Sequence, residues 1–415
     1  MARAMKDSGI EWIGEIPEEW VCCKQKYLLQ LINGRAYKDS EFEEDGRYRI
    51  LRVGNLFSNP VWYTSSLELP ADKYCDNGDL LYAWSMSYAP VIWQGEKVIY
   101  HYHIWKTILS DGIEKQYAYY YLLSLTDAIK AEVHETTMGF ITMGIMNNSY
   151  IAHPSIEEQG RIAQFLDAKC AEIDALMADV QAQIETLEQY KRSVITEAVT
   201  KGLNPNVPMK DSGTDWMGMV PRNWVRTRIK YCLCEIDMRS ITGKEEPLSM
   251  SQRFGIIPTS QIDVPHSLAS YVGAKITHPG DLVFNKLKAH LGVFSVSQYT
   301  GLVSPDYAVY RAYENVNAKY LEYLFKTDAC IAEFKKRITG VGQGLSRLYT
   351  SDLFAICVAI PQKVEQDTIV KMLDAKCAEI DTIIDGKRQQ LSTLEEYKKS
   401  VIFEYVTGKK EVPVA

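Results

Sequence analysis

The chain has 415 residues, a formal net charge of −7, 46% hydrophobic and 24% charged residues. That balance excludes wholesale disorder, and the length exceeds what one ordinary core fills, so two or more domains are expected. No run approaches about 18 uncharged apolar residues, and the opening MARAMKDSG lacks the apolar stretch of a secretory signal; the expectation is a cytoplasmic protein with no membrane partner.

In chain order, the first recognisable segment is MKDSGIEWIGEIPEEW (Met5 to Trp20). It returns as MKDSGTDWMGMVPRNW (Met209 to Trp224), nine of sixteen letters identical, 204 positions later. Short β-like runs follow, such as YRILRVGNLF (Tyr48 to Phe57), separated by Gly, Pro, Asn and Asp turns. GDLLYAWSMS, from Gly78, returns as GDLVFNKLKA, from Gly280, at an offset of 202. A helical stretch is expected over Ala118 to Val133, then Pro154, and directly after it a long helix over Ile156 to Thr200.

Within that helix the octapeptide DAKCAEID (Asp167 to Asp174) occurs again at Asp374 to Asp381, and YKRSVITEAVTKG (Tyr190 to Gly202) echoes in YKKSVIFEYVTGK (Tyr397 to Lys409), both at an offset of 207. Such small drift means that one unit of roughly 205 residues is used twice. The second copy accordingly predicts a strand in DLVFNKL (Asp281 to Leu287), one helix over Ala318 to Ile338, and a long helix after Pro361.

The long helices carry the clearest periodicity. Leu166, Ile173, Val180, Leu187 and Val194 are spaced by seven, with Cys170, Met177, Ile184, Lys191 and Ala198 four residues after each, the alternation of a coiled-coil seam. The second helix repeats it with Leu373, Ile380, Leu394 and Val401 beside Cys377, Ile384 and Leu391, weakened near Gly386 and Lys387. A helix of this length spans about 68 Å, more than one small globule can cover, so its duplicate is the expected partner.

The predicted fold is therefore mixed α/β of the α+β kind: a pseudo-twofold tandem duplication in which two globules (1–154 and 203–361) are separated by two long helices (155–202 and 362–415). The helices form an antiparallel intramolecular coiled coil that holds the globules at opposite ends of a rod. The nine cysteines include Cys22–Cys23 and Cys232–Cys234 but no CxxC pair, and are read as reduced, mostly buried thiols.

Catalytic signatures are weak. There is no GxxxxGK[ST] phosphate loop and no GxGxxG fingerprint after a strand. NPNVP (Asn204 to Pro208) reads as a linker turn. Pro305–Asp306 with Glu333 and Lys335 matches a loose metal-nuclease pattern, but Glu333 and Lys335 stand two apart in a helical run and point to different sides. No further Cys/His cluster completes a metal site around His101 and His103 in HYHIW, which alternate as on one strand face; no metal site is expected, and packing or a surface contact is the preferred reading.

The order and double occurrence of these segments resemble the specificity subunit of a type I restriction–modification system, over nearly the whole chain. The resemblance is carried by the duplicated opening segment, GEKVIYHYHIWK (Gly95 to Lys106), GDLVFNKLKAHLGVFSVSQYTGLVSPDYAVYR (Gly280 to Arg311), and the helix openings PSIEEQGRIAQFLDAK and PQKVEQDTIVKMLDAK. It implies that the globules are target-recognition domains, each reading one half of a bipartite site on double-stranded DNA, with the helix pair setting an unread spacer of at most about 20 base pairs. Two modification (methyltransferase) subunits would dock on the helices, and restriction (translocase/nuclease) subunits would join them. S-adenosylmethionine, ATP and Mg would belong to those partners; this chain would bind no cofactor and be no enzyme. The alternative is a non-catalytic coiled-coil scaffold spacing two protein-binding modules.

Sequence-specific readout needs donors and acceptors on loops that a rigid scaffold presents. The candidates in the first globule are Arg47, Arg49, Arg52, Asn55, Ser85, Ser87, His101 and His103. In the second they are Gln252, Arg253, Asn285, Lys286, Lys288 and His290. Charge is divided unevenly: Val21 to Pro154 is −3, Val225 to Pro361 is +4, and the helices are −4 (Ser155 to Gly202) and −2 (Gln362 to Gly408). Acidic helices repel phosphate and are expected to face partner proteins.

Overall fold

The computed structural model describes residues 3–85, 87–133, 141–251, 254–262, 271–338 and 347–413. The chain divides into two compact units, Met1–Gln181 with Gln389–Ala415, and Ala182–Arg388. Each unit thus holds one globule, here called a module, together with a segment of both long helices.

The first module opens with an antiparallel hairpin of Met5–Asp7 and Glu15–Pro17. Its turn is built by Asp7, whose carboxylate accepts the Gly9 amide at 2.9 Å, with Gly9 at φ 69°. The hairpin of Met209–Asp211 and Met219–Pro221 opens the second module, with Asp211 accepting Gly213 at 2.8 Å and Gly213 at φ 70°. Trp20 and Trp224 close the two segments and are fully buried.

The central sheet has four strands. In the first module they run Leu29–Asn33, Ile104–Leu109, Leu80–Ala83, Ala89–Ile92; in the second, Leu233–Ile236, Tyr307–Ala312, Leu282–Asn285, Phe294–Val296. All pairs are antiparallel and the order is the same. A second sheet of the first module runs Tyr63–Ser65, Tyr48–Leu51, Val98–Tyr100, Tyr74–Cys75, its middle pair parallel. Among the described residues the second module has in its place two antiparallel pairs, Leu248–Ser251 with Gly255–Pro258 and Lys275–Thr277 with Gly301–Val303, and one parallel bridge, Pro247 to Leu302.

The long helices are Ile156–Lys201, 46 residues, and Lys363–Val406, 44 residues; the second passes Gly386 without a break. Within the first unit they pair antiparallel: Phe165 meets Tyr405 at 4.4 Å between ring centroids, and farther along Asp174 meets Lys398 at 2.6 Å. Within the second unit, Lys191 binds Asp381 at 2.6 Å and Glu188 binds Arg388 at 3.2 Å. Leu166, Ile173, Val180, Leu373, Ile380 and Val401 are buried, whereas Leu187, Val194 and Leu394 are half-buried. The helix ends do more than face each other, because they complete the module cores. Val401, Ile402 and Val406 lie in the core of the first module with Trp20, Leu29 and Tyr117, and Ala198 and Val199 lie in that of the second with Trp224, Leu233 and Tyr320.

Matching polar anchors hold each module to the helices. Glu158 accepts the Trp20 indole at 3.4 Å, and Glu365 that of Trp224 at 3.0 Å. Gln159 accepts the Glu114 amide at 2.8 Å and donates to the Pro154 carbonyl at 3.0 Å; Gln366 does the same with Asn317 and Pro361, both at 2.8 Å. Tyr120 donates to Asp167 at 2.7 Å and Tyr323 to Asp374 at 2.6 Å. The buried Tyr117 hydroxyl donates to the Val406 carbonyl at 2.9 Å, and the buried Tyr320 hydroxyl to that of Val199 at 3.0 Å.

Three local expectations need correction. YRILRVGNLF is a strand only over Tyr48–Leu51; Val53–Phe57 is a short helix, because the Asn55 side chain accepts the Arg52 amide at 3.1 Å and turns the chain. The single helix expected over Ala318 to Ile338 is two, Ala318–Phe325 and Asp328–Arg337, separated where the Thr327 hydroxyl caps the second by accepting the Cys330 amide. The helix expected from Ala118 begins at Lys115. All nine cysteines are free thiols.

Candidate nucleic-acid interface

In the first module the central strands Leu80–Ala83 and Ile104–Leu109 are in register with Ala83 opposite Ile104. The residues just beyond that last pair are Trp84 and His103, and the Trp84 amide donates to the His103 carbonyl at 3.1 Å. The two predicted histidines lie in the turn that joins Tyr100 to Ile104, not on one strand face. The reversal brings their rings to 4.8 Å.

Around them stands an aromatic group. Tyr82, Trp105 and Trp84 form a near-parallel column, 5.7 and 5.6 Å between successive centroids, rising from the fully buried Tyr82 to the half-buried Trp84. The Trp84 indole donates to the Tyr102 carbonyl at 2.8 Å and meets the His103 ring edge-on at 5.1 Å, and Tyr102 is exposed. Burial pushes the His101 imidazole down to about 4, helped by His103 and Arg52. Burial and Arg52 lower His103 as well. Neutral imidazole keeps one ring nitrogen as an acceptor.

The predicted arginines of this module are placed near the second sheet. Arg47 is exposed, bound to Glu68 at 2.6 Å and leaning on Tyr48. Arg49 pairs with Glu96 at 3.2 Å over Trp62, and Arg52 lies over Tyr63 at 5.2 Å. Asn55 spends its amide on the Asn59 and Val61 carbonyls, at 3.0 and 2.8 Å, closing its own loop. Ser85 and Ser87 follow Trp84 in a bend, Ser87 exposed. The structure therefore brings Ser85, His101, His103 and Arg52 toward one patch, and leaves Arg47, Arg49 and Asn55 with partners of their own.

In the second module the corresponding strands pair Asn285 with Tyr307, and the residues just beyond are Lys286 and Asp306. Lys288 is exposed and precedes a single 3-10 turn, Ala289–Leu291, that holds His290, whose Nδ1 is buried without a hydrogen-bond partner among the described residues. Arg347 reaches Asp306 at 3.6 Å, and the Leu348 amide donates to the Lys286 carbonyl at 3.0 Å, so a following segment folds over this edge. Gln252 and Arg253 lie outside the described residues.

Sequence reasoning passed over Trp84, Tyr102 and Arg347. The first two were within reach, since Trp84 aligns with Lys286 in the repeated GDL segment and Tyr102 sits between two residues already chosen. Of the nuclease-like residues, Asp306 pairs with Arg347, and Glu333 with Arg337 at 2.8 Å inside its helix. Among the described residues no cluster of three His, Cys, Asp or Glu forms a metal site, and no helix is long and apolar enough to cross a membrane.

A scaffold is kept twice, with chemically different groups at the same strand ends, so the chain is a two-module one. Comparison with known proteins shows what this two-module chain is similar to. Residues 17–186 match the type I restriction modification DNA specificity domain. The chain is 24% identical to the type I restriction enzyme MjaVIII specificity subunit of Methanocaldococcus jannaschii, over 96% of this chain and 94% of that one. It is 19% identical to the EcoKI specificity subunit of Escherichia coli, over 95% and 90%. A solved structure described as the basis of complex assembly and conformational transition of the type I R-M system shares the fold, with a TM-score of 0.69 at 14% identity over 95% of this chain and 99% of that one. The chain is thus similar over nearly its whole length to type I restriction–modification specificity subunits, and residues 17–186 match their DNA specificity domain.

Proposed function

We propose that this chain selects the DNA target of a type I restriction–modification complex, the first module reading one half of a bipartite duplex site and the second the other. The helix pair fixes the unread spacer, and two modification subunits dock on it. Restriction subunits join that core. S-adenosylmethionine, ATP and Mg enter with those partners, and this chain's residues position DNA without taking part in a reacting bond.

The observation that supports this reading is the contrast between anchors and strand ends. Trp/Glu, Gln/Pro, Tyr/Asp and Tyr/helix-end contacts recur in both modules, while Trp84 and His103 give way to Lys286 and Asp306. A common scaffold suits two copies of one partner, and different strand ends suit two base sequences.

Methylation mapping of DNA from a host carrying the system tests it. The expected result is a two-part motif with a fixed gap, one part of which changes when residues 21–154 are exchanged for those of another family member. An exchange that alters both parts, or neither, overturns the assignment of one module to one half-site.

A further inference from the structure

We infer that the two modules read different base chemistry: the first recognises thymine through its 5-methyl group against the Trp84–Tyr102 surface, and the second recognises a G·C pair through Lys286 and Asp306. This deepens the half-site reading above and rests on it.

The equivalence of the two positions comes from strand register and agrees with the repeated GDL segment. Ala83 opposite Ile104 and Asn285 opposite Tyr307 are the last cross-strand pairs of the same two strands, so Trp84 matches Lys286 and His103 matches Asp306. At this place the first module offers apolar area with a polar rim. Trp84 is backed by a stacked column that reaches the buried Tyr82, so its plane is fixed before any ligand arrives. In the major groove the feature that an apolar surface can distinguish is the thymine methyl, and the neutral imidazoles beside it can accept from the adenine N6 amino group. Arg52 borders the patch, where a phosphate contact would fix register without carrying sequence.

The second module offers opposite groups. The Lys286 ammonium donates to the acceptors of guanine, O6 and N7, and the Asp306 carboxylate, exposed and only loosely paired with Arg347 at 3.6 Å, accepts from the N4 amino group of the paired cytosine. Lys288, exposed two residues farther on, adds a second donor on the same segment. A carboxylate in the groove is repelled by phosphate, and is tolerated where it meets a base amino group.

The test uses the wild-type chain in its assembled complex with the modification subunits, so that folding of a variant does not enter. With the target known from methylation mapping, duplexes are made with uracil for thymine, or 7-deazaguanine for guanine, in one half at a time. Affinity is read by competition gel shift at fixed salt. Uracil in the half read by the first module is expected to weaken binding about three- to ten-fold, the worth of one buried methyl, and 7-deazaguanine in the other half about ten-fold. Uracil in the second half and 7-deazaguanine in the first are expected to leave affinity unchanged.

Trp84→Ala is expected to abolish the uracil penalty alone, and Lys286→Met the 7-deazaguanine penalty alone. Penalties in the opposite halves, penalties in neither, or a first half without thymine overturn the inference while leaving the half-site reading intact. A complex that binds no two-part target at all overturns the half-site reading itself.

Discussion

Beyond the last cross-strand pair of the central sheet, the first module presents an indole and an imidazole, and the second an ammonium and a carboxylate. Beneath these ends the two modules share strand order, opening hairpin and helix anchors. The difference is one of environment. A buried polar group deprived of its partner costs about 1–3 kcal/mol, so contacts such as Tyr117 to Val406 and Tyr320 to Val199 hold their residues in place. A solvent-facing strand end can be replaced at small cost to stability, within about 0.5 kcal/mol at typical surface sites. The residues at these strand ends can therefore change without loss of the scaffold.

The largest test of this contrast removes residues 389–413. They supply Val401, Ile402 and Val406 to the first core and belong to the first unit, so hydrogen exchange is expected to accelerate across Lys115–Val133 and to stay slow in Ala318–Phe325. Equal loss in both helices would show that the modules do not differ in what they borrow. Next comes DNA affinity. With −3 on the first globule and acidic helices, the chain by itself is expected to bind a bipartite duplex at least about a hundred-fold more weakly than the assembled complex, at one salt concentration in a gel-shift titration.

The glycines that end the long helices sharpen the comparison at smaller scale. Gly202 and Gly408 have φ of 74° and 71°, so alanine at either position is strained by about 1 kcal/mol or more. At Gly408 the new Cβ would also stand 2.4 Å from the Pro17 ring, whereas at Gly202 it meets the end of the Glu365 side chain at 3.2 Å. Gly408→Ala is therefore expected to destabilise by about 2 kcal/mol more than Gly202→Ala in denaturant unfolding.

One pH effect in the first module comes from a buried histidine. Folded His101 titrates at about 4, below the ordinary 6.5, so the unfolded chain takes up the proton first. Its contribution to stability is complete above about pH 6.5 and is lost as pH falls toward 4. His101→Gln should flatten that part of the stability profile measured between pH 7 and pH 4.5. The smallest effect is expected at Asp174–Lys398 and Lys191–Asp381: these pairs are partly exposed, and double-mutant cycles should give a coupling of about 0.2–1 kcal/mol each.

The duplication and the two long helices were legible because periodicity and identical letters are local properties of a sequence. The eight letters of DAKCAEID show why they persist: Asp167 accepts Tyr120, Lys169 binds Glu172, Cys170 and Ile173 are buried, and Asp174 meets Lys398. The copy repeats each of these with Tyr323, Glu379 and Lys191. Less legible was whatever depends on distant pairing. Nothing in HYHIW distinguishes a strand from a turn until Ala83 is known to face Ile104. The break at Thr327 turns on one hydroxyl, and the aromatic column needs Trp105 placed between Tyr82 and Trp84. The parallel pairing of Val98–Tyr100 with Tyr48–Leu51 joins segments about 50 residues apart, beyond any local pattern.

The borrowed helix ends also set an order of events during synthesis. The ribosome delivers the first module early, but its core stays open until Val401, Ile402 and Val406 leave the exit tunnel, some 250 residues after the module's last strand, Tyr150–His153. The second module has its own borrowed residues, Ala198 and Val199, in hand before its first strand is made. The half that is translated first is thus finished last, and a premature stop near the end of the message would damage the module encoded at its beginning.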